Sequence, residues 1–170
     1  EERWERLYEP SQTGSATDDH EIGYRRVRAR VGEGPLKSAG PNRGYVVQID
    51  ARILLPNNLV CDSQGVYFMT PDRQRENWTV TNTMRDVNPN KDKRKQPATT
   101  REVGARDGTS LTVRVEGDAG TSELIKPSID GAGYISQVEA WLLPQILVRA
   151  GMVAEFAFYS YRAEPQQILF

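Results

Sequence analysis

The chain has 170 residues, 38% hydrophobic and 26% charged, with a formal net charge of −1. That length suits one globular domain with a real core, and the near-neutral charge excludes a protein that holds polyanions by its overall field. A single cysteine, Cys61, excludes an internal disulfide and any multi-cysteine metal centre.

The opening "EERWERLYEP" spaces Trp4 and Leu7 three apart, which predicts a short helix ended by Pro10. "SQTGSATDD" then reads as a linker. Residues 1–20 are therefore expected to be a helix and linker ahead of one β-rich domain at 21–170. From Glu21 the pattern turns to strand. "GYRRVRARV" alternates, with Val27, Ala29 and Val31 on one face and Arg26, Arg28 and Arg30 on the other. After a Gly/Pro-rich loop, "YVVQIDARILL" alternates again and places Tyr45, Val47, Ile49, Ala51, Ile53 and Leu55 inward.

"LVC" and "VYFM" flank "DSQG", which reads as a hairpin turn using Gly65. Pro71 and Asp72 centre the next turn, and "NWTVTNTM" puts Trp78, Val80 and Met84 on one side. Residues 85–98 carry five basic residues and two prolines without an apolar period, and they read as a mobile loop inside the domain. A hairpin centred on Asp107-Gly108 joins "TREV" to "SLTVRVEG", and "SELIKP" reads as one more short strand.

The single convincing helix comes late. Ser136 and Glu139 form a capping-box pattern, an apolar run through Trp141, Leu142, Ile146 and Val148 follows, and Gly151 suits the C′ position. Pro144 either kinks this helix or starts a second one. The segment is apolar on nearly every side, so burial is expected. Two closing strands are expected from "EFAFYSYR" and "QQILF". In the first, Phe156 and Phe158 face one way and Tyr159 and Tyr161 the other. The phenylalanines suit packing on the helix, and the tyrosines suit a cavity mouth or wet interface.

The expected fold is thus β-rich α+β. About nine strands with short antiparallel connections form a curved sheet, a half-barrel or partly open barrel, around one late buried helix.

Catalytic signals are thin. His20, the only histidine, sits in the acidic "TDDHE", whose consecutive residues converge poorly on one ion and read as solvated linker. Asp62, Asp72, Asp107 and Asp118 fall in predicted turns. Cys61 has no base near it in sequence and reads as a small buried hydrophobe. "NWT" matches the glycosylation pattern but lies inside a predicted strand. "KDKRK" reads as a solvated loop. The Arg26/Arg28/Arg30 stripe is suited to an anionic headgroup or to acids on a neighbouring strand such as Asp50. No cofactor, metal or nucleic acid is expected.

The meander from Tyr45 to Met84, the hairpin from Arg101 to Glu116 and "YISQVEAWLLPQILVRAG" leading into "EFAFYSYR" together resemble the bacterial lipoprotein-localisation carriers of the LolA/LolB type. The resemblance is one of pattern over residues 21–170. It implies a half-barrel lidded by helices, with an apolar cavity for acyl chains, in the periplasm or envelope. No apolar run reaches membrane-spanning length. The start at Glu1 and the apolar end read as a processed protein or excised domain, which leaves export open.

The expected function follows: a non-enzymatic binding domain that holds an apolar or lipid-like ligand between sheet and helix. Trp78, Trp141, Phe158, Tyr159 and Tyr161 are the expected walls, and Arg26, Arg28 and Arg30 the headgroup holders. A structural or protein-interaction module is the alternative, through its β edges or the Tyr159/Tyr161 face. A His20-based hydrolase is the third.

Overall fold

A computed structural model describes residues 1–9, 20–34, 43–87, 97–126, 129, 133–152, 156–158 and 166–168. Among the described residues ten strands and one α-helix run in chain order, with a short 3-10 turn at Pro56–Asn58: β1 (Glu2–Glu9), β2 (His20–Glu33), β3 (Arg43–Leu55), β4 (Leu59–Met69), β5 (Arg75–Asp86), β6 (Ala98–Asp107), β7 (Ser110–Gly117), β8 (Gly120–Lys126), α1 (Gln137–Arg149), β9 (Phe156–Phe158) and β10 (Gln166–Ile168). Strands β1 to β8 form one antiparallel meander in sequence order, open at β1 and β8, while β9 and β10 pair as a separate two-stranded ladder. The fold is the β-rich α+β one expected: a curved, unclosed antiparallel sheet with a single late helix packed on it.

Register sorts the side chains between two faces. Val27 lies opposite Ile49, Val47 opposite Tyr67, Tyr67 opposite Trp78, and Gly104 opposite Val113. These residues share the inner face, and Val27, Val47, Ile49, Tyr67, Trp78, Leu111 and Val113 are all buried there together with Val138 of α1. Each fully buried large apolar side chain contributes roughly 1.5–3 kcal/mol. Two glycines serve this packing rather than turns. Trp78 lies against Gly104 on the next strand, and a Cβ there would sit 2.1 Å from the indole. The Tyr67 ring covers Gly65 in the same way.

Three local expectations are corrected. Residues 2–9 are the edge strand β1, paired with β2, and no helix forms there. "DSQG" is not a turn, because β4 runs unbroken from Leu59 to Met69 and Gly65 makes room for Tyr67. Val31 and Met84 do share the inner face as expected, though they are 62% and 40% exposed, near strand ends beyond the close packing. The helix is not buried all round: only Val138 is, and Ile146 and Val148 are 57% and 80% exposed. A lone helix laid on an open sheet buries one stripe and turns the other outward.

Other expectations hold. Ser136 and Glu139 form the capping box, and Gly151 takes φ +63° after the last turn. The Gly151 and Met152 amides close on Val148 and Leu147, a Schellman arrangement. Pro144 sits inside one continuous helix. Gly108 takes φ +58° between β6 and β7. The linker at 10–19 and residues 88–96 of the basic loop lie outside the described residues.

Polar contacts strap the helix across the sheet at both ends. At its start, Arg73 in the β4–β5 turn pairs with Glu139 at 2.6 Å and donates to the Tyr134 carbonyl. Ser136 meets the Met69 sulfur. Further along, Arg3 donates to the Trp141 carbonyl, and at the far end Arg149 pairs with Glu1 at 3.0 Å.

Candidate functional site

The helix stripe on the sheet comprises Val138, Trp141 and Leu142, at positions i, i+3 and i+4. Past Leu142 the packing loosens, and two adjoining hollows open between the helix and the ends of β2, β3 and β4. One, of about 260 Å³, is lined by Tyr45, Met69, Leu142, Leu143 and Ile146, with Glu139, paired to Arg73, at its border. The other, of about 390 Å³, shares Tyr45, Leu142 and Ile146 and extends to Ala29, Val31 and Arg30. The pair makes one apolar groove. Strand β1 pairs with β2 only as far as Glu2 opposite Arg28, with Glu1 closing on Ala29. The groove therefore opens at the free edge of β2, where Arg30 stands on one lip and Arg149 on the other.

The two arginines differ. Arg149 is engaged with Glu1. Arg30 is exposed, rests over Gly32, and has no ion-pair or hydrogen-bond partner among the described residues.

Two polar clusters sit on the inner face and hold the helix. Glu5 lies between Arg3 and Arg25, and Arg25 stands over the Trp141 ring at 5.1 Å. Burial works to raise the Glu5 pKa, but hydrogen bonds from Arg25 and Arg3 outweigh it and hold the carboxyl below the ordinary range. Glu76 is 2% exposed. It accepts from Tyr134 Oη, the Gln137 amide and Arg106. Burial raises Glu76 above the usual carboxylate range against those three donors, and burial together with the Glu76 charge raises the Tyr134 phenol. Every partner of this carboxylate is internal, so it anchors the segment entering α1 and faces no substrate.

The expected site residues scatter. Trp78 is 1% exposed, pressed on Gly104 with its Nε1–H donated to Glu102, and lines neither of these two hollows. Trp141 is half-buried between Tyr67 and Arg25 and contributes to the helix seat rather than to the groove lining. Arg26 and Arg28 lie on the outer face, paired with Glu2 at 2.8 Å and Asp50 at 2.9 Å. Of the stripe, Arg30 alone lines the groove. Phe158 belongs to β9, with its side chain outside the description, and Tyr159 and Tyr161 lie outside the described residues. The groove residues missed in the sequence, Met69, Leu143 and Gln145, carry no chemical signature and become neighbours only once the helix lands.

Other chemistry is sparse. His20 is exposed at the start of β2 opposite Glu9. The Cys61 thiol is pushed up by burial and by the Asp62 charge, away from thiolate. Asn77 of "NWT" is 8% exposed, buried inside β5. Among the described residues no group of three His, Cys, Asp or Glu converges for a metal, and no helix is long and apolar enough to cross a membrane. The outer face carries a separate exposed cluster, Trp4, Tyr8 and Tyr24, with Trp4 and Tyr24 rings 5.8 Å apart.

Comparison with protein-family models, with curated proteins and with solved structures finds no match, so the groove and its lining carry the functional argument.

Proposed function

We propose that this is a binding domain that holds one apolar chain in the groove between α1 and the ends of β2 to β4. The observation that carries the reading is the groove itself: an aliphatic and aromatic lining of ligand-pocket size, bordered by few polar groups. Each hollow lies near the lower end of small-molecule pockets, which suits a single-chain amphiphile better than a multiply acylated lipid. The action is burial, without chemistry on the ligand. The reading follows the resemblance to lipoprotein-localisation carriers, with a single helix as the only described lid, and the bacterial envelope is the compartment that resemblance suggests.

A neutral fluorescent probe, N-phenyl-1-naphthylamine, tests it. The protein is expected to enhance the probe's emission saturably, and Leu142→Trp together with Ile146→Trp is expected to abolish the enhancement while leaving the thermal midpoint within a few degrees. Absence of saturable uptake by the wild type, with no lipid in an organic extract of the purified protein, would sink the reading.

A second reading, a protein-interaction module, draws on the exposed Trp4, Tyr8 and Tyr24 cluster beside the open β1 edge. Loss of a partner on Trp4→Ala with the groove variants unaffected would favour it.

A further inference from the structure

We infer that Arg30 makes the groove selective for an anionic single-chain amphiphile, with a carboxylate or phosphate headgroup, over a neutral one. This rests on the groove reading and specifies the ligand class. Thirteen of the described arginines sit in ion pairs with carboxylates, including Arg26 and Arg28 of the same strand. Arg30 stands apart. It is exposed, unpartnered among the described residues, and placed at the lip of an apolar groove of ligand size. The guanidinium rests over Gly32 on the same strand, where a Cβ would come within 2.0 Å of Nη1.

A guanidinium offers a planar fork of donors that matches a carboxylate or phosphate in two parallel hydrogen bonds. The opposite lip adds no competing free acid, because Glu1 is held by Arg149. An apolar chain lying along Tyr45, Leu142 and Ile146 would bring its head to this edge. A neutral hydroxyl would gain one weak bond there, while an anion would gain two charge-assisted ones.

Displacement of N-phenyl-1-naphthylamine by tetradecanoate, tetradecyl phosphate and tetradecanol tests this. Wild type is expected to bind at least one of the anions about tenfold more tightly than the alcohol, in line with charge-assisted bonds at a partly exposed site. Arg30→Gln is expected to erase that preference while leaving tetradecanol unchanged, and raised salt should narrow it in the wild type alone. The carboxylate and phosphate arms tell a fatty-acid head from a phosphate head. Equal binding of acid and alcohol by the wild type overturns the inference and leaves the groove reading standing. Equal loss in Arg30→Gln and Arg26→Gln overturns the assignment to Arg30. Failure of the neutral probe and of tetradecanol as well as the anions overturns the groove reading, and this inference with it.

Discussion

Replacing Gly104 by alanine is expected to be among the most damaging single-methyl changes on the inner face. A Cβ at this position would lie 2.1 Å from both Cε2 and Cζ2 of Trp78, far inside contact distance. The indole has nowhere to go: it is 1% exposed, and its Nε1–H is held by Glu102 Oε1 at 2.7 Å. Overpacking of this kind costs about 1–3 kcal/mol. If the ring shifts to relieve it, the hydrogen bond to a carboxylate goes too, at about 1.5–3 kcal/mol. A total of about 2–5 kcal/mol follows, equivalent to a fall of roughly 5–15 °C in Tm for a chain of this size. Urea unfolding followed by tryptophan fluorescence measures it, with the slope m unchanged. Trp78→Phe removes the overlapping half of the indole, so Gly104→Ala should cost at least about 1 kcal/mol less in that background, read as a coupling term in the double-mutant cycle. A cost under about 0.5 kcal/mol for Gly104→Ala in the native background, with an additive cycle, would refute the packing argument.

Two further perturbations probe the polar clusters that seat the helix. Glu76→Ala strips the acceptor from Tyr134, Gln137 and Arg106 and leaves the Arg106 guanidinium, 9% exposed, without its carboxylate. Urea unfolding should show a loss of roughly 3–5 kcal/mol, with Glu76→Gln losing less; wild-type stability in both variants would show the cluster to be incidental. Glu5 titrates below the ordinary carboxylate range in the folded chain. Its contribution to stability is therefore complete above the unfolded pKa of about 4.3 and fades as the pH falls through the lower folded value. Thermal melts of wild type and Glu5→Gln should differ most at neutral pH and converge below about pH 4.3; a gap that stays constant to pH 3 would contradict the paired placement of Glu5. Taking the difference between the two proteins removes the opposite trend from Glu76, whose raised pKa favours the folded state on acidification.

The parts of the fold legible in the sequence are those where local pattern and burial agree. Val27 and Ala29, then Val47, Ile49 and Ala51, alternate because their strands have one face on the core. Ser136 with Glu139 and Gly151 mark the helix ends because caps are satisfied by residues nearby in sequence. β1 escaped notice for a related reason. Its inner-face positions are Arg3, Glu5 and Leu7, ion-paired rather than apolar, so no hydrophobic alternation appears and the Trp4/Leu7 spacing reads as helix. Gly65 reads as a turn residue in isolation, and only the Tyr67 ring above it explains a glycine in mid-strand.

By itself, then, the sequence determined the β-rich antiparallel character and the late helix with its caps, since each depends on contacts between residues close along the chain, while strand count and bounds waited on the structure. Tertiary structure alone decided which arginine of the stripe lacks a partner among the described residues, which tryptophan is core and where the groove lies. Arg26, Arg28 and Arg30 are indistinguishable as a stripe until β1 brings Glu2 to the first, β3 brings Asp50 to the second, and the end of β1 leaves the third at an open edge. The helix is apolar on most sides in sequence, so only its landing on β3 and β4 settles which of its residues are buried and which line a hollow.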